Sequence, residues 1–440
     1  MTAAVLAGGA AVGGYAETRA VRAHRNPEPT TSAVPTPGVL SAATAAPTTA
    51  APTSAPLPTA ARVRSALAKA VADPALGGRL LARVVDVESG SVLYERGGTT
   101  VAAPASTAKL LTAAAVLRVH PATYRFTTTL VRGPGNSVVL VGGGDPTLTA
   151  ATGNQMPAYP GAARLTDLAK KITSTPSEIV VDDSLFTGPI VAPQWDPGDA
   201  PSEYGAPITA LMIDGGRATP RAVARSGAPD LAAGQALAAA LGAGIRVVRG
   251  KAPANAPVIA QIHSAPLGTL VRQMLEDSDN VLAEVLARQV ALARHQPASF
   301  TGATRAIRQV LAAEGVDVGA GMVDGSGLAS ADRLSATALT GVLRLIATGT
   351  TTAITGLPVA GWSGTLSGRF DRTPAAGDVR AKTGTLTSVS SLAGFVHDSD
   401  GRLLAFALLA DRVPAGEAGT LAAEDALDRV AERLAACGCG

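Results

Sequence analysis

The sequence has little of several residue types that carry crosslinks or metal chemistry. Its only two cysteines, Cys437 and Cys439, stand at the C-terminal end of a chain of 440 residues. They are too few and too peripheral for a disulfide framework or a zinc site. The five histidines are scattered and lack the spacing of metal ligands. We therefore expect neither a metal nor another cofactor.

The chain also has almost no excess of positive over negative residues, and it has few aromatic residues. The formal net charge is only +3, and no cluster of lysine and arginine suggests nucleic-acid binding. Aromatic residues make up 3% of the chain against 47% for all hydrophobic residues, so alanine, valine and leucine must fill the core. The glycines at 142–144 lack the Gly-Lys-Ser/Thr ending of a phosphate loop, and a turn is expected there. A chain of this length should hold two or more structural units.

The N-terminal part has the composition of a targeting segment followed by a linker. Residues 3–16 are apolar and uncharged, like the core of an export signal or the end of a membrane anchor. No basic residues precede them and they are too short to span a bilayer, so a disordered tail is the alternative. We interpret residues 1–25 as a signal or anchor remnant, and 26–60, rich in Pro, Thr, Ala and Ser, as a flexible linker. An extracytoplasmic enzyme, secreted or membrane-anchored and associated with the cell wall, would have this arrangement.

The stretch from Ala103 to Leu117 carries the first chemical signal. Its Ala, Leu, Thr and Lys residues favour a helix, and Pro104 suits the first turn. Ser106 and Lys109 are three positions apart and would share one face of that helix. The surrounding positions are mostly apolar, so the lysine should be buried. Burial lowers the pKa of an ammonium group, and a neutral lysine beside a serine hydroxyl can take its proton.

This Ser-x-x-Lys pattern is weak by itself, because a capping serine and a surface lysine produce it by chance. Two later stretches change that interpretation: Ser278-Asp-Asn280 and Lys382-Thr-Gly384. The three motifs in this order are typical of serine β-lactamases and penicillin-binding proteins. Together they predict an enzyme that forms an acyl intermediate on a serine.

The later motifs have clear structural settings. The polar tetrad that ends at Asn280 separates two apolar helical stretches, where it could point into a cleft or merely cap the second helix. Residues 379–386 have strand-like spacing, and strands at 389–397 and 403–410 should complete an antiparallel sheet. A helix at 422–435 can pack on that sheet. Gly384 would let a substrate backbone approach its strand closely.

The order of motifs resembles the penicillin-recognising serine enzymes over residues 61–122 and 263–436. It is most similar to the class C low-molecular-mass penicillin-binding proteins, the D-alanyl-D-alanine carboxypeptidase/endopeptidase family (peptidase family S13). Ser106 and Ser278 are 172 positions apart (278 − 106), which leaves room for an inserted domain. Further features of that family are the sequences at 142–148, 182–186, 278–284 and 324–328.

The resemblance implies an α/β (α+β) fold of the penicillin-binding-protein/β-lactamase-like transpeptidase type, with an antiparallel sheet flanked by helices. The catalytic domain would comprise 61–122 and 263–440, and a mainly β accessory region would occupy 123–262. Nothing between residues 122 and 262 indicates catalysis. The substrates implied are peptidoglycan stem peptides ending in D-Ala-D-Ala, and β-lactams would acylate the enzyme as covalent inhibitors.

The resemblance also implies a role for each motif residue. Ser106 would be the nucleophile and Lys109 its base. Ser278, in contact with Lys382, would pass a proton to the leaving amine, and Asn280 would hold the acyl amide and help position Lys109. Lys382, Thr383 and Thr385 would bind the substrate's terminal carboxylate, and Gly384 would be a further substrate-binding residue. The N–H groups of Ser106 and Thr385 would form the oxyanion hole, and Asp279 receives no role.

Two other functions remain open from the sequence. A serine β-lactamase shares the three motifs, but it should not need so long a segment between its serines, and no glutamate placed to activate a deacylating water stands out. A catalytically inactive cell-wall-binding protein of the same fold is the other alternative, although no catalytic motif residue is missing.

Overall fold

The computed structural model describes residues 55–242, 244–349, 351–371 and 373–440. The predicted signal or anchor segment, and the linker up to residue 54, lie outside the described residues. Within the described ranges, no helix combines the length and the apolar character needed to cross a membrane.

The described residues form ten α-helices and twelve strands. The helices are α1 Ala60–Leu67, α2 Lys109–Val119, α3 Leu165–Ala169, α4 Pro229–Leu241, α5 Leu267–Glu276, α6 Asn280–Ala293, α7 Phe300–Ala313, α8 Ala336–Gly349, α9 Thr351–Ile354 and α10 Glu417–Ala435. The strands are β1 Leu80–Asp86, β2 Val92–Arg96, β3 Val101–Ala102, β4 Thr127–Arg132, β5 Ser137–Val141, β6 Glu178–Asp182, β7 Arg246–Arg249, β8 Val258–His263, β9 Leu334–Ser335, β10 Val379–Leu386, β11 Val389–His397 and β12 Leu403–Ala410.

A five-stranded antiparallel sheet joins the two ends of the described chain. Its order is β10-β11-β12-β1-β2, so the N-terminal hairpin pairs with the last strand. Leu80 lies opposite Ala410, and Asp86 lies opposite Leu404. The three C-terminal strands have the bounds that the sequence predicts, which confirms this part of the expected sheet.

The sheet separates two apolar layers, because successive side chains of its strands point to opposite faces. On β12, Leu404, Phe406 and Leu408 pack with residues of α1 and α10. The intervening Ala405, Ala407 and Leu409 pack with the helices on the other face, α2 and α5 to α8. Side chains of a strand point alternately to its two faces, so one strand serves both layers. Helix α2 lies within the helical layer and is buried from Lys109 to Leu117, as predicted.

A second five-stranded sheet is built entirely from residues between 127 and 263. Its order is β7-β6-β5-β4-β8, in which β5, β6 and β7 run parallel and β4 is antiparallel to both neighbours. Helices α3 and α4 contribute to its apolar cluster. The long segment between β6 and α4 leaves this sheet and packs against the motif residues.

Candidate active site

The turn that carries Ser106 differs from the predicted helix start. Residues Ala105–Ala108 form a 3-10 turn, and α2 begins only at Lys109. Ala105 has φ +47°, a left-handed conformation that breaks the helix before the serine. Ser106 is half-buried, so its hydroxyl can meet a ligand. The serine and the lysine still meet, because the 3-10 turn leads directly into the helix.

Lys109 is fully buried and hydrogen-bonded on three sides. Its Nζ lies 2.8 Å from Ser106 Oγ, 2.5 Å from Asn280 Oδ1 and 2.8 Å from the carbonyl oxygen of Ser326. These three contacts bring together the first motif, the second motif and a loop that follows α7. The predicted proximity of Ser106, Lys109 and Asn280 is thus present in the structure.

The surroundings of Lys109 make its neutral form more accessible than that of a free lysine. Burial lowers the pKa of Lys109 from 10.5 to about 8, although the Asp324 and Asp279 charges oppose the change. A neutral amine has two N–H donors and one lone pair. Asn280 Oδ1 and the Ser326 carbonyl can only accept hydrogen bonds, so they take the two N–H groups. The lone pair is then left for the hydroxyl of Ser106, which is the geometry of a general base.

The second motif lies at the junction between α5 and α6. Ser278 is half-buried with φ +58°. Asp279 caps α6 by accepting from Leu282 N at 2.9 Å, so the capping role and the site role coexist at this junction. Within the described residues, no hydrogen bond joins Ser278 to Lys382, whose Nζ instead donates to the carbonyl of Thr383 at 2.9 Å. The implied Ser278–Lys382 contact is therefore not formed as a hydrogen bond.

The third motif lies on β10, directly against the catalytic turn. A Cβ on Gly384 would stand 2.8 Å from the carbonyl oxygen of Pro104 and 2.3 Å from the Ser391 hydroxyl. That hydroxyl also donates to the Pro104 carbonyl at 2.7 Å. Gly384 is therefore required by contact with the chain's own backbone, whereas the sequence indicated only an approaching substrate.

Lys382 is fully buried, and its neighbours are polar. Burial and the charge of Lys109 hold the pKa of Lys382 well below its ordinary value. The hydroxyl of Thr383 donates to Thr365 Oγ1 at 2.8 Å, and that of Thr385 donates to Glu424 at 2.9 Å. Both threonine hydroxyls thus already have internal partners.

Three buried carboxyl groups behind Lys109 have no role in the sequence-based prediction. Asp324 accepts hydrogen bonds from three backbone N–H groups of its own loop, and Glu284 accepts from Gly325 N at 2.9 Å. Burial and the Asp324 charge raise the pKa of Glu284 to about 8 and that of Asp332 well above its ordinary value. Glu284 and Asp324 belong to the family-like stretches at 278–284 and 324–328, which was the available signal.

Residues 123–262, predicted to be an accessory region and called the inserted region below, also reach the site, which their sequence did not indicate. Tyr159 OH donates to Asp279 at 2.7 Å, and Arg225 forms a buried ion pair with Asp279 at 3.3 Å. Trp195 Nε1 donates to Asp324 at 2.8 Å. The carbonyl of Tyr204 accepts from Asn280 Nδ2 at 3.0 Å. Residues far from the motifs in sequence therefore hold them in place.

The described residues contain no group of three or more His, Cys, Asp or Glu side chains placed to hold a metal ion. What the site does contain is a half-exposed hydroxyl, a buried amine of lowered pKa and a second buried amine on an adjacent strand. This set can deprotonate a serine and stabilise a negative charge nearby, as acyl transfer requires.

Comparison with known proteins points to one family. A sequence model of the D-Ala-D-Ala carboxypeptidase 3 (S13) family matches residues 63–232 and 221–434. A carboxypeptidase of Mycobacterium tuberculosis is 43% identical over 401 residues, which cover 87% of this chain and 85% of the relative. A carboxypeptidase of Mycolicibacterium smegmatis is 43% identical over 404 residues, covering 88% and 86%.

Solved structures support the fold. The crystal structure of penicillin binding protein 4 from Haemophilus influenzae superposes with a TM-score of 0.67 at 22% sequence identity. The match covers 84% of this chain and 98% of that protein. The predicted penicillin-binding-protein-like fold is confirmed.

Proposed function

Because the chain belongs to the D-Ala-D-Ala carboxypeptidase 3 (S13) family, we propose that it cleaves the terminal D-Ala-D-Ala bond of peptidoglycan stem peptides through an acyl-enzyme on Ser106. The family and the mycobacterial relatives establish the enzyme class, a serine-type D-Ala-D-Ala carboxypeptidase. The observation that carries the residue assignment is the contact between Lys109 Nζ and Ser106 Oγ, with the other two partners of Nζ acting as acceptors.

In the first step, neutral Lys109 takes the proton of the Ser106 hydroxyl while Oγ bonds to the carbonyl carbon of the penultimate D-alanine. Backbone N–H groups of Ser106 and Thr385 stabilise the resulting oxyanion. The C–N bond then breaks, and the proton that Lys109 took from Ser106 passes through the Ser278 hydroxyl to the departing amine of the terminal D-alanine. Water hydrolyses the ester and frees Ser106.

The terminal carboxylate of the substrate meets β10. Lys382 is fully buried, so in its charged form it contributes positive potential rather than an exposed donor, and the hydroxyls of Thr383 and Thr385 are the direct donors. To donate to the substrate, each hydroxyl must leave its present partner, Thr365 or Glu424. An arriving carboxylate favours the charged form of Lys382, whose charge in turn favours the neutral form of Lys109.

We further propose that residues 123–262 are an accessory domain and that 61–122 with 263–440 form the catalytic domain. The separate sheet between residues 127 and 263 supports this division. Action on peptidoglycan implies a site outside the cytoplasm. Residues 1–25 would secrete or anchor the protein, and 26–60 would let the enzyme reach the wall.

The test is intact-protein mass after incubation with benzylpenicillin, for wild type and Ser106→Ala. We expect a lasting one-to-one adduct on wild type and none on the variant, since a β-lactam imitates D-Ala-D-Ala and leaves slowly. Release of D-alanine from a stem pentapeptide should disappear in the same variant.

Two results would contradict the proposal. Rapid hydrolysis of the drug without a lasting adduct would favour a serine β-lactamase. Absence of any adduct and of D-alanine release in wild type would favour an inactive wall-binding protein.

A further inference from the structure

Both groups that orient the base are themselves held by one segment of the inserted region. Lys109 donates to Asn280 Oδ1 and to the Ser326 carbonyl, and these two contacts direct its lone pair at Ser106. Hydrogen bonds from that segment add to those that the catalytic domain itself provides. Each is connected to the segment between residues 195 and 204.

The first connection passes through the loop that follows α7. Asp324 Oδ1 accepts from Ser326 N at 3.0 Å and from Gly327 N at 2.6 Å, and Oδ2 accepts from Ala329 N at 2.8 Å. These bonds fix the peptide whose carbonyl faces Lys109. The fourth hydrogen bond to the carboxylate, from Trp195 Nε1 at 2.8 Å, is the one that comes from the inserted region.

The second connection fixes the amide of Asn280. Its Nδ2 donates to the Tyr204 carbonyl, so its Oδ1 must face Lys109. Reversing the amide would place an N–H group against a lysine and an oxygen against a carbonyl oxygen, and both contacts would be lost. Tyr204 is held in turn by Ser202, whose hydroxyl accepts from Tyr204 N at 3.0 Å and donates to Asp199 O at 2.7 Å.

We propose that Trp195 and the turn at Ser202–Tyr204 are positioning residues of the inserted region, which hold the two acceptors that aim Lys109 at Ser106. This inference rests on the proposed function and adds a catalytic task for the inserted region. Trp195 is buried and makes an edge contact with the ring of Phe300 at 5.5 Å, so its indole has a fixed orientation.

The test variant is Trp195→Phe, which keeps an aromatic ring and removes the single N–H donor. The matched control is Trp362→Phe, because Trp362 is 83% exposed and far less able to affect the interior. We expect the first-order acylation step with benzylpenicillin to slow about tenfold or more in Trp195→Phe, with little change in the initial binding constant. Trp362→Phe should react like wild type.

The pH profile of acylation separates positioning from general loss of structure. With one donor fewer, the Asp324 carboxylate presents more negative charge and favours protonated Lys109, so the acid limb should move to higher pH. The other titratable groups that act on Lys109 stay in place: Asp279, Glu284, Asp332 and Lys382. A rate loss with an unchanged profile and a lowered melting temperature would indicate a structural role only and would overturn the proposal.

A second variant keeps the inference testable if Trp195→Phe fails to fold. Ser202→Ala removes a half-buried hydroxyl and should slow the same step in the same direction, whereas Ser177→Ala, which removes an exposed serine hydroxyl elsewhere in the inserted region, should not. Wild-type rates in both Trp195→Phe and Ser202→Ala would overturn the inference while the enzyme activity stands. Absence of an adduct on wild type itself would overturn both the inference and the proposed function.

Discussion

Lys109 shows how the charge of one side chain follows from its contacts. A fully buried lysine is costly in the charged form, and four carboxyl groups reduce that cost only in part. The effect of burial exceeds that of the carboxyl groups, and the pKa of Lys109 is lowered from 10.5 to about 8. A base with such a pKa is neutral often enough to accept a proton and still basic enough to hold it.

Acylation should therefore depend on pH through Lys109. The neutral amine is the reactive form, so the rate should rise with pH up to the pKa of about 8 and then level off. Well below that pKa, the neutral fraction falls roughly tenfold per pH unit. The measurement is the second-order rate constant for benzylpenicillin acylation across the pH range, with melting temperature recorded as a control for stability. A rate that stays constant between about pH 6 and about pH 8 would contradict the role of Lys109 as the base.

At the scale of single residues, sequence spacing predicted the contact between Ser106 and Lys109. Ser106 and Lys109 are close in sequence, and any helical turn brings them together. Trp195 and Asp324 could not be paired from sequence, because their contact depends on how a long irregular segment crosses the site. Gly384 was singled out for the correct property, a close approach, but the partner is Pro104 rather than a ligand alone.

At the scale of elements, the start of α6 is held by hydrogen bonds from two parts of the chain. Asp279 caps the helix and also accepts from Tyr159 and Arg225, which belong to the inserted region. Burial raises the pKa of Asp279, but the charges of Arg225 and Arg217 and the hydrogen bonds outweigh it and hold that pKa below 3.8. One carboxylate thus fixes the direction of α6 and attaches the inserted region to it.

Replacing Asp279 with Asn should keep a capping acceptor but leave the buried Arg225 without its counter-charge. We expect the free energy of unfolding to fall by about 3 kcal/mol, as when one partner of a buried ion pair is removed. The folded-state pKa is lowered, so the carboxylate stabilises the fold above its unfolded pKa and loses that effect as pH falls. The difference between wild type and variant should therefore shrink in acid.

Urea unfolding at neutral and acid pH measures both effects. The control is Asp167→Asn, whose partner Lys170 is exposed and where the loss should stay below about 0.5 kcal/mol. Equal stability losses in the two variants would show that the buried pair does not stabilise the junction.

The sequence predicted some helices and strands correctly and missed others. Strands β10, β11 and β12 have the predicted bounds; β12 is apolar throughout, and a polar turn at 398–402 separates it from β11. Helix α7 was missed, and its Gly302 weakens the helical signal. In the fold that glycine is required, since a Cβ there would stand 1.9 Å from the carbonyl oxygen of Pro297. The periodicity of apolar residues does not report a close approach between a helix and its preceding loop, so this need for glycine could not be predicted.

At the scale of the whole molecule, the residues that form the two core layers and the site lie between Val63 and Cys439. A chain that starts at Ala55 should therefore fold and be acylated by benzylpenicillin at the full-length rate. Removing residues 417–440 as well should prevent folding, because α10 contributes a large part of one apolar layer. Circular dichroism and adduct mass check both variants. Failure of the chain starting at Ala55 would show that the preceding residues belong to the folded unit.

The pairing of β1 with β12 also limits how early the central sheet can form during synthesis of the chain. Leu80 and Ala410 are partners although 330 residues separate them (410 − 80). A ribosome adding about 5 to 20 residues per second needs roughly 15 to 65 seconds to supply that partner. Until then the edge of β1 that faces β12 has no native neighbour. Chains that end before β12 should therefore expose an unpaired strand edge, which is a site for aggregation.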